Sequence, residues 1–404
     1  MKKIFNLVLG VVTSIGGFVE VGSISTAAQA GAEFGFALLW AIAAATLILA
    51  MLAEMAGRMA ALGKRSMAAA VRERFGFHFQ LVPLGAELII DVLLLAAEIG
   101  GAAIAVTLLT GVGFPWWIVP IGVVVWLVLW LGNFTVIEDG VGLLGIMTLA
   151  FVVSVWRLQP DVRAVVDGFI PSVPDHDVTR YAFLAVSIVG ATVSPYLLNF
   201  YASGAIEEKW GGSELWINRV TSFLGMGFGS VVSMGVLTTA AIVLGPRQIQ
   251  VDSYEQAALM FVPAFGSWAV TLFALALGVG CFGAAIEITL NVGYLLAQSF
   301  GWPWGVEKKR RDVSRFVAAF SLVLLLSIGV ALIGFDPLRM TLISVALTVV
   351  IMPLVVLPFL VVMNEERYVS GHANGPIGNG LLAALTVLGA IMAIVVIPLE
   401  IFGG

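Results

Sequence analysis

Long apolar runs, in which charged residues are rare, constrain the fold of this chain more than any other feature. A helix that crosses the ~30 Å hydrocarbon core of a bilayer needs about 20 such residues, whereas a transmembrane barrel is built from short segments of alternating polarity. The composition agrees, because 60% of the 404 residues are hydrophobic and only 11% are charged. The sequence therefore predicts an all-α integral membrane protein.

About eleven transmembrane helices can be drawn, and together they predict a single transmembrane domain over residues 1–404. The predicted spans are 8–31, 36–62, 81–110, 116–132, 141–157, 180–206, 219–245, 265–299, 315–334, 338–363 and 379–402. The links between them are too short to form a soluble catalytic or signalling domain.

The distribution of basic residues predicts the orientation of these spans. With eleven spans, fifteen of the 20 Lys and Arg residues fall on the side of the N-terminus. Short cytoplasmic loops carry an excess of Lys and Arg. We therefore expect a multi-pass protein of the cell inner (plasma) membrane, with a cytoplasmic N-terminus and a C-terminus outside.

Several function classes are disfavoured. A net charge of −5 without a basic patch argues against a nucleic-acid partner. The single cysteine, Cys281, excludes a disulfide framework, and neither a nucleotide-binding loop nor a catalytic motif is found. The sequence predicts no enzyme, no cofactor and no obligatory protein partner beyond the lipid bilayer.

Two of the spans contain polar residues where the membrane centre is expected. Residues 20–26 (Glu-Val-Gly-Ser-Ile-Ser-Thr) lie in the first span, and Pro195 lies in the middle of the sixth. Proline removes a backbone donor and clashes with the preceding turn, and a buried carboxylate is costly unless it has a function or a partner. Breaks in matching helices of two repeats are typical of a secondary transporter with a site at the midplane. The predicted substrate-binding residues are Glu20, Gly22, Ser23, Thr192, Ser194 and Tyr196.

Four segments resemble the NRAMP (natural-resistance-associated macrophage protein) transporters. Residues 20–23, followed by 28–32 (Ala-Gln-Ala-Gly-Ala), are similar to the family's first helix, where Asp-Pro-Gly-Asn precedes a Gln-Ala-Gly-Ala segment. Residues 190–196 (Gly-Ala-Thr-Val-Ser-Pro-Tyr) resemble the sixth helix, which carries Met-Pro-His. Residues 95–98 (Leu-Ala-Ala-Glu) resemble the third-helix Asp-Leu-Ala-Glu, and 352–358 resemble the tenth helix. The likeness extends from about residue 10 to residue 375.

The resemblance implies a LeuT-type 5+5 inverted repeat with broken helices 1 and 6, and transport by alternating access. The repeats would be residues 8–157 and 180–363, with 379–402 as an extra helix. The family is known for proton-coupled uptake of manganese, iron and related divalent metals. This chain departs from the family at the ligands themselves, and the replacing residues are Glu20, Val21, Ser23, Leu95, Ser194 and Tyr196.

These departures change the expected ion. Carboxylate, hydroxyl and carbonyl oxygens suit hard cations, whereas a thioether selects soft metals. A site without the Met and His ligands favours a magnesium- or manganese-like divalent cation, with Glu20 as metal ligand. The alternative is a sodium-coupled transporter of a small inorganic anion such as bicarbonate, because broken-helix N-termini and hydroxyls bind anions. The charge of Glu20 opposes that alternative.

Further polar residues lie in the eighth and third spans. Glu287, Thr289 and Asn291 form a candidate coupling-ion site, because in LeuT-type folds the eighth helix runs beside the first. Asp91 and Glu98 are seven residues apart and share one helical face, which makes them a candidate proton or ion path. Pairing that only holds helices together is the alternative for both sets. Sodium or a proton is the candidate coupling ion.

Overall fold

A computed structural model describes residues 20–132, 140 and 145–402. This part of the chain is helical and contains no strand. The α-helices in chain order are α1 Val21–Phe34, α2 Leu39–Gly63, α3 Met67–Phe75, α4 Phe77–Thr110, α5 Pro115–Leu131, α6 Ala150–Leu158, α7 Val162–Asp167, α8 Val178–Thr192, α9 Pro195–Glu207, α10 Leu215–Val220, α11 Met226–Val243, α12 Tyr254–Ala258, α13 Val262–Phe265, α14 Ala269–Phe300, α15 Ser314–Leu332, α16 Pro337–Val362, α17 Glu366–Val369 and α18 Pro376–Phe402. A π-helix covers Thr221–Gly225, and 3-10 turns cover Ile146–Leu149, Gly212–Glu214, Gly245–Arg247, Leu259–Phe261 and Gly266–Trp268.

Eight helical runs within the described residues are long and apolar enough to cross a membrane. They match the second, third and sixth to eleventh predicted spans. The fourth and fifth predicted spans form shorter apolar helices, Pro115–Leu131 and Ile146–Leu158. A helix of the length of α5 reaches about 26 Å, which is less than the ~30 Å core. The predicted total of eleven spans is therefore not established, and residues 8–19 of the first span and 141–144 of the fifth lie outside the described residues.

The C-terminal end of α5 is capped by a side chain from the link between α14 and α15. Arg310 donates hydrogen bonds to the carbonyl oxygens of Leu129, Trp130 and Gly132 at 3.1, 3.2 and 3.0 Å. A cation at this position offsets the partial negative charge of a helix C-terminus. The basic link therefore holds α5 in place as well as contributing to the charge asymmetry.

Glycines bring the helices that carry the predicted breaks close to α16. A Cβ atom on Gly190 of α8 would lie 1.8 Å from the carbonyl oxygen of Val345, and one on Gly22 of α1 would lie 2.8 Å from Val345 Cγ1. Close packing of this kind leaves no room for a larger residue. The first turn of α1 and the last turn of α8 therefore meet at the same point on α16.

Candidate functional site

The first site element is the start of α1, which lies within the predicted first span. Glu20 has extended backbone (φ −96°, ψ 171°), and the helix begins at Val21. The Val21 N–H donates to both carboxylate oxygens of Glu98 at 3.1 and 3.3 Å. A carboxylate here satisfies an N–H that has no partner within the helix, and it complements the positive end of the helix dipole. Glu98 thus holds the start of α1 against α4.

The second site element is the break between α8 and α9, which confirms the predicted interruption of the sixth span. Val193 and Ser194 separate the two helices, and Pro195 is the first residue of α9. Proline disfavours helical backbone in the residue before it, and Ser194 is extended (φ −88°, ψ 133°). The Ser194 hydroxyl donates to the carbonyl oxygen of Gly190 at 3.0 Å. The hydroxyl therefore satisfies one of the carbonyls at the end of α8.

A hydrogen bond joins the residue before α1 to the first turn of α9. The Tyr196 hydroxyl donates to Glu20 Oε2 at 2.6 Å, and both side chains are completely buried. The second carboxylate oxygen, Glu20 Oε1, is also buried and has no hydrogen-bond partner among the described residues. Buried polar atoms are nearly always satisfied. An oxygen in this position is therefore a candidate ligand for an ion.

Three further predicted substrate-binding residues lie where α1 begins and α8 ends. Gly22 and Ser23 lie in the first turn of α1, and Thr192 ends α8; Ser23 and Thr192 are both buried. A Cβ atom on Gly22 would lie 3.2 Å from Glu20 Oε1 and 3.4 Å from the Cβ atom of Ala191. Glycine therefore leaves space next to the carboxylate at the meeting point of α1 and α8.

The residues of the candidate coupling-ion site are divided between two places. Glu287 is buried on α14 and interacts electrostatically with Tyr196. The Thr289 hydroxyl donates to the carbonyl of Ala285 at 2.6 Å, within its own helix. Asn291 donates to Asp91 Oδ2 at 3.3 Å. Glu287 therefore belongs with the Glu20 site, and Asn291 belongs with a second polar cluster.

Asp91 belongs to that second cluster and Glu98 does not, although both lie on α4. Glu98 contacts the start of α1, whereas Asp91 contacts Asn291 of α14. One turn before Asp91, Glu87 accepts a hydrogen bond from Asn199 of α9 at 2.7 Å. Neither Glu87 nor Asn199 was predicted from the sequence as a site residue. The available signal was the spacing of four residues between Glu87 and Asp91, which places both on one face of α4.

A network around Arg180 joins three helices at the opposite end of α1. Arg180 donates to both carboxylate oxygens of Glu33 at 2.9 Å, to Glu400 Oε1 at 2.8 Å and to Gln29 Oε1 at 2.8 Å. Paired hydrogen bonds from Arg to a carboxylate are strong and directional. The network therefore ties α8 to α1 and α18, and none of its members was predicted from the sequence as a site residue.

The charged side chains alone do not make a metal-binding cluster. Within residues 20–132, 140 and 145–402, no group of three or more His, Cys, Asp and Glu residues converges on one point. A cation at Glu20 would therefore draw its other ligands from hydroxyl, amide or backbone oxygens, or from water. Hard cations accept such ligands.

Comparison with known proteins identifies the family. The family model for natural resistance-associated macrophage protein-like (Nramp) proteins matches residues 10–398. The divalent metal cation transporter MntH of Deinococcus radiodurans is 27% identical over 96% of this chain and 88% of its own length. MntH of Yersinia enterocolitica is 25% identical over 96% of this chain and 91% of its own length.

Solved structures show the same fold. A manganese transporter from Eremococcus coleocola, crystallised with an aromatic bis-isothiourea compound, matches with a TM-score of 0.83 at 18% identity, over 98% of this chain and 86% of its own. Mhp1, a nucleobase-cation-symport-1 family transporter, matches with a TM-score of 0.60 at 14% identity, over 96% of this chain and 91% of its own. These likenesses confirm the predicted LeuT-type fold, and the chain belongs to the Nramp family, whose members are multi-pass membrane transporters and not enzymes.

Proposed function

We propose that this protein is a secondary transporter that carries a hard divalent cation, magnesium- or manganese-like, by alternating access. Glu20 is the proposed metal ligand, and Tyr196 orients its carboxylate. The relatives named above transport divalent metal cations, which supports a metal substrate. The predicted ligands of this site are carboxylate and hydroxyl oxygens, which favour a hard cation over a soft one.

One observation carries the proposal. Glu20 Oε1 is a buried carboxylate oxygen without a hydrogen-bond partner in the described residues, at the point where α1 begins and α8 ends. The Tyr196 hydroxyl holds the other oxygen and thereby restricts the rotation of the carboxylate. An anionic oxygen held in place and out of water is costly unless it meets a cation or a proton. Transport sites in this class of fold lie at such breaks.

The bicarbonate alternative requires a helix N-terminus that can receive an anion. At the start of α1 the carboxylate of Glu98 already accepts the Val21 N–H. At the start of α9 the first residue is Pro195, which has no N–H to donate. The helix N-termini thus present fewer free N–H groups to an anion than we expected from the sequence. Sodium-coupled anion transport is therefore kept as an outcome of the test.

Alternating access in this proposal moves the repeats 8–157 and 180–363 relative to each other around the Glu20 site. The basic side of the chain, with the N-terminus, faces the cytoplasm, and a proton or sodium ion is the coupling ion. Glu287 is the proposed coupling-ion ligand, because this carboxylate of α14 also interacts with Tyr196.

The test is uptake into proteoliposomes that contain the purified protein. We expect saturable uptake of Mg²⁺ and Mn²⁺, read by internal metal dyes, with no sodium-dependent alkalinisation from bicarbonate. Glu20→Gln should reduce metal uptake at least ~100-fold, because it removes the anionic ligand while preserving side-chain shape. Glu207→Gln, which changes a half-buried carboxylate at the far end of α9, serves as the matched control. Unchanged metal uptake by Glu20→Gln, or sodium-driven bicarbonate entry without metal flux, would contradict the proposal.

A second variant tests the hardness of the site. Ser194→Cys places a soft sulfur at the α8–α9 break with little change in volume. We expect Cd²⁺ to inhibit uptake about tenfold more strongly than in the wild-type protein, because thiolate ligands select soft metals. The wild-type protein, which retains Cys281, controls for the native thiol. Equal inhibition of both proteins would show that Ser194 does not face the ion.

A further inference from the structure

A second polar cluster lies between α4, α9 and α14, and we call it the inner cluster. It consists of Glu87, Asp91, Asn199 and Asn291, each at most 2% exposed. Asn199 donates to Glu87 Oε1 at 2.7 Å, and Asn291 donates to Asp91 Oδ2 at 3.3 Å. The Asn291 side chain also lies within hydrogen-bonding reach of Glu87. Two carboxylates and two amides from three helices are thus gathered in one place.

The amide oxygens of the inner cluster have no partners. Asn199 Oδ1 and Asn291 Oδ1 are buried and make no hydrogen bond among the described residues. A planar amide exchanges its oxygen and nitrogen when it rotates by 180°. Each amide that now presents N–H to a carboxylate can therefore present its oxygen to a cation lying against that carboxylate. The cluster then offers only oxygen ligands, carrying two negative charges.

Along α4, the inner cluster lies between the Glu98 contact with the start of α1 and a cavity in the bundle. Asp91 interacts electrostatically with Glu20 on one side. On the other side, Glu87 and Asn199 line a small cavity of about 20 Å³, whose lining also includes Gln80 of α4 and Met67 of α3. We call this cavity the recess. Met67 and Gln80 lie next to the basic loops that the charge distribution assigns to the cytoplasm.

We propose that the inner cluster is a second cation site, which a hard divalent cation occupies after leaving Glu20 and before entering the recess. This inference rests on the proposed function for the identity of the cation. Mg²⁺ is commonly bound through one or two carboxylates while it keeps several waters. The cluster supplies two carboxylates and two amide oxygens, and the recess has space for about one water molecule.

The test is calorimetric titration of the purified full-length protein with MgCl₂. We expect two equivalents of Mg²⁺ for the wild-type protein and one for Glu20→Gln. Glu87→Gln and Asp91→Asn should each also bind one equivalent, and each should lower Mg²⁺ uptake about tenfold in proteoliposomes. The control Glu207→Gln, on α9 but outside the cluster, should bind two. An unchanged unfolding midpoint shows that each variant is folded.

A gain of affinity provides a measurement that misfolding cannot imitate. Asn199→Asp adds a carboxylate of the same shape to the cluster, and we expect it to tighten the second equivalent about tenfold. The inference is overturned if the wild-type protein binds a single equivalent that only Glu20→Gln removes, or if Asn199→Asp leaves Mg²⁺ binding unchanged. If the wild-type protein binds two equivalents but carries no Mg²⁺ or Mn²⁺, the proposed function fails while the site stands. If it carries metal and binds one equivalent, the site fails while the function stands.

Discussion

The two ends of the bundle are built differently on either side of Glu20. At the Arg180 end, one guanidinium joins three helices through hydrogen bonds of 2.8 to 2.9 Å, to partners that include Glu33 and Glu400. At the recess end, Glu87 and Asn199 border empty space. At one end, charge pairs therefore join three helices. At the other end, polar groups line a cavity.

The difference shows that contacts between helices and a candidate ion-binding cluster are placed at different ends of the same bundle. Four side-chain oxygens of Gln29, Glu33 and Glu400 accept hydrogen bonds from Arg180, so the network stabilises one arrangement of α1, α8 and α18. The inner cluster instead leaves two amide oxygens without a donor among the described residues, and an added ion or water would stabilise them. We infer that the Arg180 end is the one whose opening must break protein contacts.

The largest expected effect comes from overpacking the helices at the Arg180 end. A Cβ atom on Gly31 of α1 would lie 2.2 Å from the backbone carbonyl oxygen of Leu237, which no side-chain rotation can relieve. We expect Gly31→Ala to destabilise the protein by about 3 kcal/mol, at the upper end of overpacking effects. The measurement is the free energy of unfolding in mixed micelles.

Gly85 of α4 at the recess end is the matched control, because a Cβ atom there meets no atom within 4 Å. Gly85→Ala should be neutral or stabilise the protein by up to ~1 kcal/mol, as in other helix interiors. Equal losses for the two variants would show that the ends do not differ in packing.

The next largest effect comes from removing the positive charge of the Arg180 side chain. In the ion pairs of Arg180, the side chains of Arg180, Glu33 and Glu400 are 18 to 23% exposed. Arg180→Met leaves both carboxylates without a partner, and we expect a loss of about 2 kcal/mol, below the value for fully buried pairs. Hydrogen exchange should rise at least about tenfold in α1 near Phe34 and remain unchanged in α9.

The control for Arg180→Met is Arg163→Ala, which changes an exposed arginine of α7. It should leave exchange at both ends unaltered. Exchange that rises equally in α1 and α9 after Arg180→Met would mean that the arginine supports the whole bundle rather than one end.

The smallest effect sharpens the comparison within the Arg180 network. Glu400→Gln removes one carboxylate contributed by α18 and leaves the two hydrogen bonds between Arg180 and Glu33 intact. We expect a loss below about 1 kcal/mol and a two- to threefold rise in exchange near Phe34. Glu33→Gln should have the larger effect, because Glu33 accepts two of the bonds. The reverse order would indicate that the contact of Arg180 with α18 contributes more stability than its contact with α1.

Local chemistry explains which features could be predicted from the sequence. Pro195 cannot donate a backbone hydrogen bond and restricts the residue before it, so the break at Val193 and Ser194 follows from these few residues alone. The positions of the long apolar helices follow from their length and composition, whereas the predicted break near Glu20 adjoins residues 8–19, which lie outside the described residues. The count of spans does not follow, because the described parts of the fourth and fifth predicted spans are shorter than a helix that crosses a bilayer.

The partners of the polar residues were decided by the tertiary structure. Glu98 and Val21 are 77 positions apart, Asn291 and Asp91 are 200 apart, and Arg180 and Glu400 are 220 apart. Helical periodicity determines which residues share a face, but not which other helix that face meets or at what height. The sequence by itself predicted the long apolar helices, the interruption at Pro195 and an oxygen-rich site without Met or His ligands. Only the packing of the helices decided that Glu98 caps α1, that Asp91 and Glu87 form a separate cluster and that Arg180 joins three helices. Those contacts depend on the rotation and crossing of helices that are distant in the chain.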